Sequence, residues 1–420
     1  MNILQIAYTV NPSIPCYRLK KALEAEGHKV RILTLHAAES LNNDPDIIVI
    51  KISFPFRVYK WIYYRIYDFI FDAVYRKREP SIFSIGLLGI PYRKIRKYII
   101  EADVVHVHWA LGLIGYSNLR KLSEDCRCVI WTAHDCWPFT GGCHHYKDCT
   151  GFESYCGKCP LLKSKRESDI TRYIIKKKLK SIGKNITMIG PSKWISGAIE
   201  KSKVFKDNRV ATIPNALNTE LFKVVPGDGI RNRYGIESGS KVILTGATDL
   251  SSPYKGHEKL EEVLEGLDKD EYFDNAVIVI FGRSEKISKR YSGLTIKQLG
   301  YVSSEQEMAE IYNMADVFLL TSVNENLPST VMESMACGTA VTAFDIGGVR
   351  DMIDHKVDGY IAKPFSIEDY IDGIKWCLDQ DSSVRNVLHN KMEDYCSYPK
   401  VSEEHIKIYS DCISDYKKGI

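Results

Sequence analysis

The sequence predicts an α/β chain of two doubly wound, parallel-sheet units, and three observations predict it. Short apolar, β-branched runs alternate with helical patterns through the first half; the same alternation restarts after residue 240; and a stretch broken by proline and glycine separates the two. The 420 residues are enough for two such cores. With 45% apolar and 26% charged residues the composition is globular, and no window approaches the ~20 apolar residues that a membrane span needs. A disordered tail and an integral membrane protein are excluded.

In chain order, the strand candidates of the first unit are NILQIAYTV, KVRILTL, DIIVIKI, DVVHVHW, CVIWTAHD, ITMIGPS and VATIP. None shows strict polar alternation, as suits strands covered by helices on both faces. The N-terminus has no basic leader and no small-residue cleavage site, so a cytoplasmic protein is expected. IPNALNTELFKVVPGDG, with Pro214, Pro226, Gly227 and Gly229, reads as the connection between units. The second unit supplies KVILTGAT, AVIVIFG, IKQLGYV, DVFLLTS and TAVTAFD, and SEEHIKIYSDCISDYKKG forms a last helix. The expected division is 1–216 and 217–399, with the helix of about 400–420 packing back on the first unit. Ligand is expected in a cleft between the units, outside the carboxyl ends of their strands.

Charge is uneven. Residues 1–217 hold 35 Lys and Arg against 19 Asp and Glu, a net of +16, whereas residues 218–420 hold 22 against 34, a net of −12. A basic half suits an anionic membrane, a polyphosphate or nucleic acid, or is simply a lysine-rich solvated surface. No nucleic-acid reader motif accompanies it, so no nucleic-acid partner is expected. Within this half, Arg57 to Arg78 places Val58, Trp61, Ile62, Ile66, Phe69, Ile70, Ala73 and Val74 at helical spacing. The segment reads as a helix packed on the sheet or as one lying in a lipid interface. Lys163 to Lys184 carries nine Lys or Arg and reads as a solvated helix face.

Five of the 12 cysteines, Cys136, Cys143, Cys149, Cys156 and Cys159, fall within 24 residues. In a reducing compartment such clustering points to metal rather than disulfides. Cys143, Cys149, Cys156 and Cys159, with Gly157 inside the last pair, suit a closed tetrahedral zinc site, in which His144 or His145 could replace one thiolate. Buried free thiols and redox-labile pairs are the alternatives. A structural Zn2+ would pin a long loop beside His134.

TSVNENLPSTVMESMACGTAVTAFDIGGVRDMI, residues 321–353, carries the most chemistry. A strand feeds a helix with Pro328 suited to its first turn, Asn326 to Ser329 as capping residues and Gly338 as its stop. The free N–H groups of such a helix start suit an anion. Glu325 and Glu333, eight positions apart, suit sugar or ribose hydroxyls, since a carboxylate accepts hydrogen bonds but repels phosphate oxygens. Two surface glutamates flanking a helix start are the plain alternative.

This pattern resembles the donor-site motif of family 4 retaining glycosyltransferases, whose GT-B architecture sets two Rossmann-like domains facing a central cleft. IPNALNTELF is similar to the family's interdomain sequence, GATDLSSPYKGHEKL to its phosphate-contacting loop, and LGYVSSEQEMAEIYNMADVFLLTS to its nucleotide-base segment. WTAHDCWPFTGGCHHYKDCTGFESYCGKCP resembles the subgroup that assembles colanic acid and capsules.

The resemblance implies transfer of a hexose from a UDP- or GDP-linked donor to a lipid-diphosphate-linked saccharide. It also implies a peripheral position at the inner face of the cell membrane, against an anionic surface, and no catalytic cofactor. It places Lys255 on the donor diphosphate, Glu325 on the donor sugar and Glu333 on the ribose. Asn326 and Leu327 lie near the phosphate, Gly246 and Gly282 where backbone approaches the nucleotide, and Tyr301 and Val302 in the base segment. Ala247 stands where the family often has Arg, and Arg283 is the candidate replacement. His134 and Asp135, closing CVIWTAHD, would contact donor sugar or acceptor, and the first loop VNPSIPC lacks the family's Gly-rich turn. The other readings are a nucleotide-sugar epimerase on the same fold and a catalytically inactive nucleotide-binding protein.

Overall fold

The computed structural model describes residues 1–283 and 291–418. The chain divides into two units, Met1–Pro214 with Val401–Ile420, and Asn215–Lys400. The first division falls two residues before the expected 216/217. The Leu217 N–H bonds the Cys396 carbonyl, which ties the connection to the second unit.

The first unit is a seven-stranded parallel sheet of β1 (Asn2–Ile6), β2 (Lys29–Thr34), β3 (Ile47–Val49), β4 (Val104–Val107), β5 (Val129–Thr132), β6 (Ile186–Gly190) and β7 (Val210–Thr212). Their order is β3-β2-β1-β4-β5-β6-β7. β4, β5 and β6 are buried throughout, as suits their mainly apolar sequences VVHV, VIWT and ITMIG. The two edge strands are three residues long and partly exposed, a length that limits edge-to-edge pairing. The order reverses between β1 and β4, so the residues after β1 and β4 sit at the switch point, where doubly wound sheets bind ligands, and those after β5 lie next to it.

The second unit repeats the plan with β8 (Val242–Asp249), β9 (Ala276–Arg283), β10 (Leu294–Gly300), β11 (Val317–Leu320), β12 (Ala340–Phe344) and β13 (Tyr360–Ala362), ordered β10-β9-β8-β11-β12-β13. Here the reversal lies between β8 and β11. All twelve expected strand segments form. β13 was not expected, because a three-residue strand carries too little pattern to read, and neither was the two-residue pair Thr9–Val10 with His36–Ala37.

The segment read as amphipathic is a helix, Phe54–Val74. Its stripe of Val58, Trp61, Ile62, Ile66, Phe69, Ile70 and Val74 does not pack on the sheet. Phe69 is 77% exposed and Trp61 63%, while Phe56, Tyr63, Tyr67 and Phe71 make the inward face. The packed-helix alternative thus fails for the face that the sequence marked as apolar. The basic stretch forms a helix over Ile170–Ser181, and it too departs from a wholly solvated face, because Lys178 is fully buried. No helix among the described residues is long and apolar enough to cross a membrane.

Candidate functional site

In the second unit the expected donor residues gather at the carboxyl ends of β8, β9 and β11. The loop after β8 ends in Lys255-Gly256. Gly256 has φ +68°, and a Cβ there would lie 1.9 Å from the Thr321 carbonyl oxygen, so only glycine lets this turn close on the end of β11. The turn delivers Lys255 Nζ to 2.5 Å from Glu325 Oε1, an oxygen that also accepts from Ser322 Oγ at 2.8 Å. Lys255 and Glu325, assigned separate roles from sequence, are therefore ion-paired 70 residues apart. Gly347, at φ +48°, packs against the Glu325 carbonyl, where a Cβ would approach to 1.7 Å, and so fixes the backbone that carries this carboxylate.

Glu333 lies in the helix Ser329–Ala336, nearly buried, with Oε2 accepting from Tyr312 Oη at 3.1 Å. The helix start differs from expectation. Its N-cap is Pro328, which makes no side-chain cap bond. Leu327 is buried and Asn326 half-buried beside this start. Gly338 ends the helix as expected, at φ +76°.

Gly246 and Gly282 lie where β8 and β9 approach each other closely. A Cβ on Gly246 would fall 2.5 Å from the Phe281 ring, and one on Gly282, at φ +102°, would fall 1.6 Å from the Ala247 carbonyl oxygen. Their missing side chains make room for the approach of β8 to β9, where the register shifts between Gly246 and Asp249. Arg283 stacks on Tyr301, its guanidinium 5.1 Å from the ring centroid, so these two candidates meet on the surface. Val302 follows, half-buried, in the otherwise exposed loop after β10.

In the first unit His134 follows β5 and His108 follows β4, with Nε2 of His134 3.0 Å from Nδ1 of His108 and their rings stacked. Behind them His106 stacks on His108 at 4.2 Å, and its nitrogens meet Thr132 Oγ1 and Tyr409 Oη, each at 2.7 Å. Tyr409 and His405 come from the last helix, Tyr398–Lys418, which thus packs back on the first unit's sheet. Burial holds the His134 imidazole down to about 4 and those of His106 and His108 well below the usual range. All three are neutral at pH 7. The space walled by His108, Trp109, Trp131, His134 and Trp137 is about 20 Å3, far below the several hundred of a ligand pocket.

Asp135 is engaged by protein rather than open to an acceptor hydroxyl. Oδ2 meets His144 Nδ1 at 2.7 Å and accepts from Trp109 Nε1 at 2.9 Å, while Oδ1 accepts from the Trp137 N–H at 2.8 Å. Burial alone would raise its pKa, but these hydrogen bonds hold the carboxyl below the usual range. Lys178 braces the same loop, donating to the Thr140 carbonyl at 2.9 Å and to that of Trp137, and burial lowers its pKa to about 7.

The zinc reading meets a different arrangement. Cys143, Cys149, Cys156 and Cys159 lie close enough together to raise one another's pKa, while among the described residues no group of three or more His, Cys, Asp or Glu side chains has the geometry to hold a metal ion. Cys143 and Cys159 sit instead in an apolar cluster with Phe71, Leu161 and Leu162. In the metal-free fold, burial pushes the thiols of Cys143, Cys156 and Cys159 up. His144, offered as an alternative ligand, bonds Asp135 and Ser84.

Two sequence profiles match, Glycosyltransferase Family 4 over residues 16–221 and Glycosyl transferases group 1 over residues 229–394. The chain belongs to glycosyltransferase family 4. It is similar to a diphospho-undecaprenol-linked N-acetylgalactosaminyltransferase of Campylobacter jejuni, 26% identical over 33% of this chain and 38% of that protein. It is also similar to WcaC of Escherichia coli, a glycosyl transferase named for colanic acid biosynthesis, 21% identical over 67% of this chain and 68% of the relative. The chain thus spans less than half of the first relative. Among solved structures an Anabaena protein, HepE, in complex with UDP-glucose superposes with a TM-score of 0.66 at 14% identity, over 98% of this chain and all of the other, which shows the shared GT-B fold.

Within this glycosyltransferase, Tyr312 and His108 are site residues that sequence reasoning passed over. Tyr312 lies in the segment read as base-binding, with no local mark that its hydroxyl meets Glu333. His108 did carry a signal. In DVVHVHW the two histidines stand at i and i+2 on a strand, hence on one face, at the carboxyl end where ligands bind.

Proposed function

We propose that this enzyme transfers a hexose, with retention of anomeric configuration, from a UDP- or GDP-linked donor to a lipid-diphosphate-linked saccharide in exopolysaccharide or capsule synthesis. The observation that carries the reading is the Lys255–Glu325 pair, set beside the uncapped start of the Glu333 helix. A nucleotide diphosphate entering there takes Lys255 onto its phosphates, where an ammonium neutralises charge as the leaving group departs, and frees Glu325 for a sugar hydroxyl. Glu333, oriented by Tyr312, accepts from the ribose hydroxyls. The uncapped N–H groups of the helix face the diphosphate. Retention follows front-face attack, the donor phosphate taking the acceptor proton, and no catalytic metal is required. The +16 charge of residues 1–217 and the exposed apolar stripe of the helix Phe54–Val74 suit work at an anionic membrane face.

Calorimetry with UDP, GDP, ADP and CDP, on wild type and on Glu333→Ala, tests the donor site. Selective binding of one diphosphate, weakened at least tenfold in the variant, is expected. Binding of none, or of all alike, overturns the donor assignment and leaves the inactive alternative.

A further inference from the structure

Beside the helix Phe54–Val74 lies a groove of about 940 Å3, closed on its other side by residues 162–173. Its floor is apolar, made by Tyr67, Ile70, Phe71, Val74, Leu162 and Ile170. Its rim is basic. Arg76, Lys77, Lys163, Lys165 and Arg166 line it, and none of these five cations is paired with a carboxylate, whereas nearby Arg78, Lys158 and Arg172 are. The acidic residue in the lining, Asp169, caps the helix Ile170–Ser181 and accepts from the Cys159 N–H. An apolar trough edged by free cations is complementary to an amphiphile, a hydrocarbon chain ending in an anion. Neither part accounts for the other, since a phosphate alone gains nothing from the floor and a neutral chain nothing from the rim.

We propose that this groove binds the lipid diphosphate carrier of the acceptor, with the first units of its chain along Ile70 and Val74 and its diphosphate among Lys163, Lys165 and Arg166. The inference rests on the lipid-linked reading of the acceptor and gives that lipid a place on the enzyme. The same helix connects the groove to the candidate acceptor region, because Lys60 donates to the Gly112 carbonyl at 2.8 Å, in the loop that follows Trp109. Eleven residues separate Lys60 from Phe71, roughly 16 Å along a helix. A saccharide hanging from a diphosphate in the groove is thus presented toward the end of β4 and β5. The exposed stripe on the same helix continues the apolar floor outward, where the remainder of a long chain lies in the bilayer.

Titration of the full chain with farnesyl diphosphate, below its aggregation threshold, tests this, with pyrophosphate, farnesol and phosphatidylglycerol vesicles as comparators. Two surface variants are compared, Lys163→Glu with Arg166→Glu, and Ile70→Asp with Val74→Asp, and UDP binding in the second unit reports on integrity. Farnesyl diphosphate is expected to bind at one site and to lose at least tenfold in each variant, with UDP affinity unchanged. Pyrophosphate or farnesol binding as tightly as farnesyl diphosphate overturns the proposal. So does farnesyl diphosphate affinity that neither variant alters, and so does binding of the phosphatidylglycerol vesicles alone. The lipid-linked reading fails separately, if a chain-free saccharide is glycosylated as efficiently as its farnesyl-diphosphate-linked form. With that reading intact, an unchanged KM for the linked acceptor in both variants overturns the groove alone.

Discussion

The two units share a strand order at their switch points yet build opposite kinds of site there. In the second, charged groups stand at the surface in an ion pair that a ligand can exchange, Lys255 one-third exposed and Glu325 held by Ser322. In the first, neutral histidines and a carboxylate are locked into buried bonds with their own fold. The same topology thus yields one end with a partly exposed ion pair, proposed above to take an anionic ligand, and one built as a rigid wall. The residue types decide this. A flexible ammonium remains hydrated and mobile, whereas a buried imidazole is held neutral and fixed in one tautomer by its partner.

The largest expected effect lies at the exchangeable pair. Lys255→Ala removes the cation proposed to neutralise the leaving diphosphate and strands Glu325, and kcat for transfer from the preferred nucleotide sugar is expected to fall about 10²–10³-fold. Lys255→Arg, with the charge kept but the geometry changed, is expected to recover part of it. Equal activity of wild type and Lys255→Ala would remove this pair from the chemistry and erase the contrast between the two sites.

Acid should separate the units next. An imidazole held at about 4 in the fold and at 6.5 when unfolded takes up a proton on unfolding at any pH between them. Stability from this source is complete above pH 6.5 and is lost as the pH falls toward 4. His134 and His405 each shift by about 2.5 units, about 3 kcal/mol apiece, and His106 and His108 add to the same direction. The first unit is therefore expected to lose hydrogen-exchange protection between pH 6.5 and 4 before the second, which has no such cluster among its described residues. Simultaneous loss in both units would show that the histidines are not the weak point.

Asp135→Asn is a smaller perturbation of the wall. Trp109 and the Trp137 N–H donate to different oxygens, so an amide must turn its NH2 toward one of them. A loss of about 1–3 kcal/mol in urea unfolding is expected from the unsatisfied donor. If Asp135 is a positioning residue for the loop, kcat falls in step with the disorder of that loop, and KM for the donor stays unchanged. A rise in donor KM would make it a ligand contact instead.

What the sequence reveals divides along the same line. Local features were legible. Twelve strand segments, the Gly338 stop and the spacing of Glu325 and Glu333 all follow from runs and periods that a few adjacent residues carry. Features that depend on what lies opposite were not. The Lys255–Glu325 pair joins residues 70 apart, and Lys178 looks like its exposed neighbours until the loop carrying Trp137 and Thr140 closes over it. The apolar stripe of the helix Phe54–Val74 was read correctly as a stripe, but periodicity does not say whether sheet, solvent or lipid faces it. Gly246 and Gly282 were marked as points of close backbone approach, and each closely approaches a neighbouring strand, a contact that depends on what lies opposite.

The cysteine loop gives the smallest expected effect and the sharpest contrast with its sequence. Spacing suggests four thiolates around zinc, while the metal-free fold packs Cys143 and Cys159 against Phe71 and Leu162. Metal that holds a loop together contributes directly to folding, so its removal would lower the melting temperature of the first unit by several degrees. Thiols acting as small hydrophobes predict otherwise. On that reading purified protein contains substoichiometric zinc by elemental analysis, and EDTA leaves the melting temperature unchanged within a degree or so. Cys143→Ala should then cost only what its packing supplies, about 1 kcal/mol for a lost sulfur in an apolar cluster. Stoichiometric zinc, released together with loss of stability and absent from Cys143→Ser, would restore the metal knuckle and make this loop a second place where the first unit is held by charge rather than by packing.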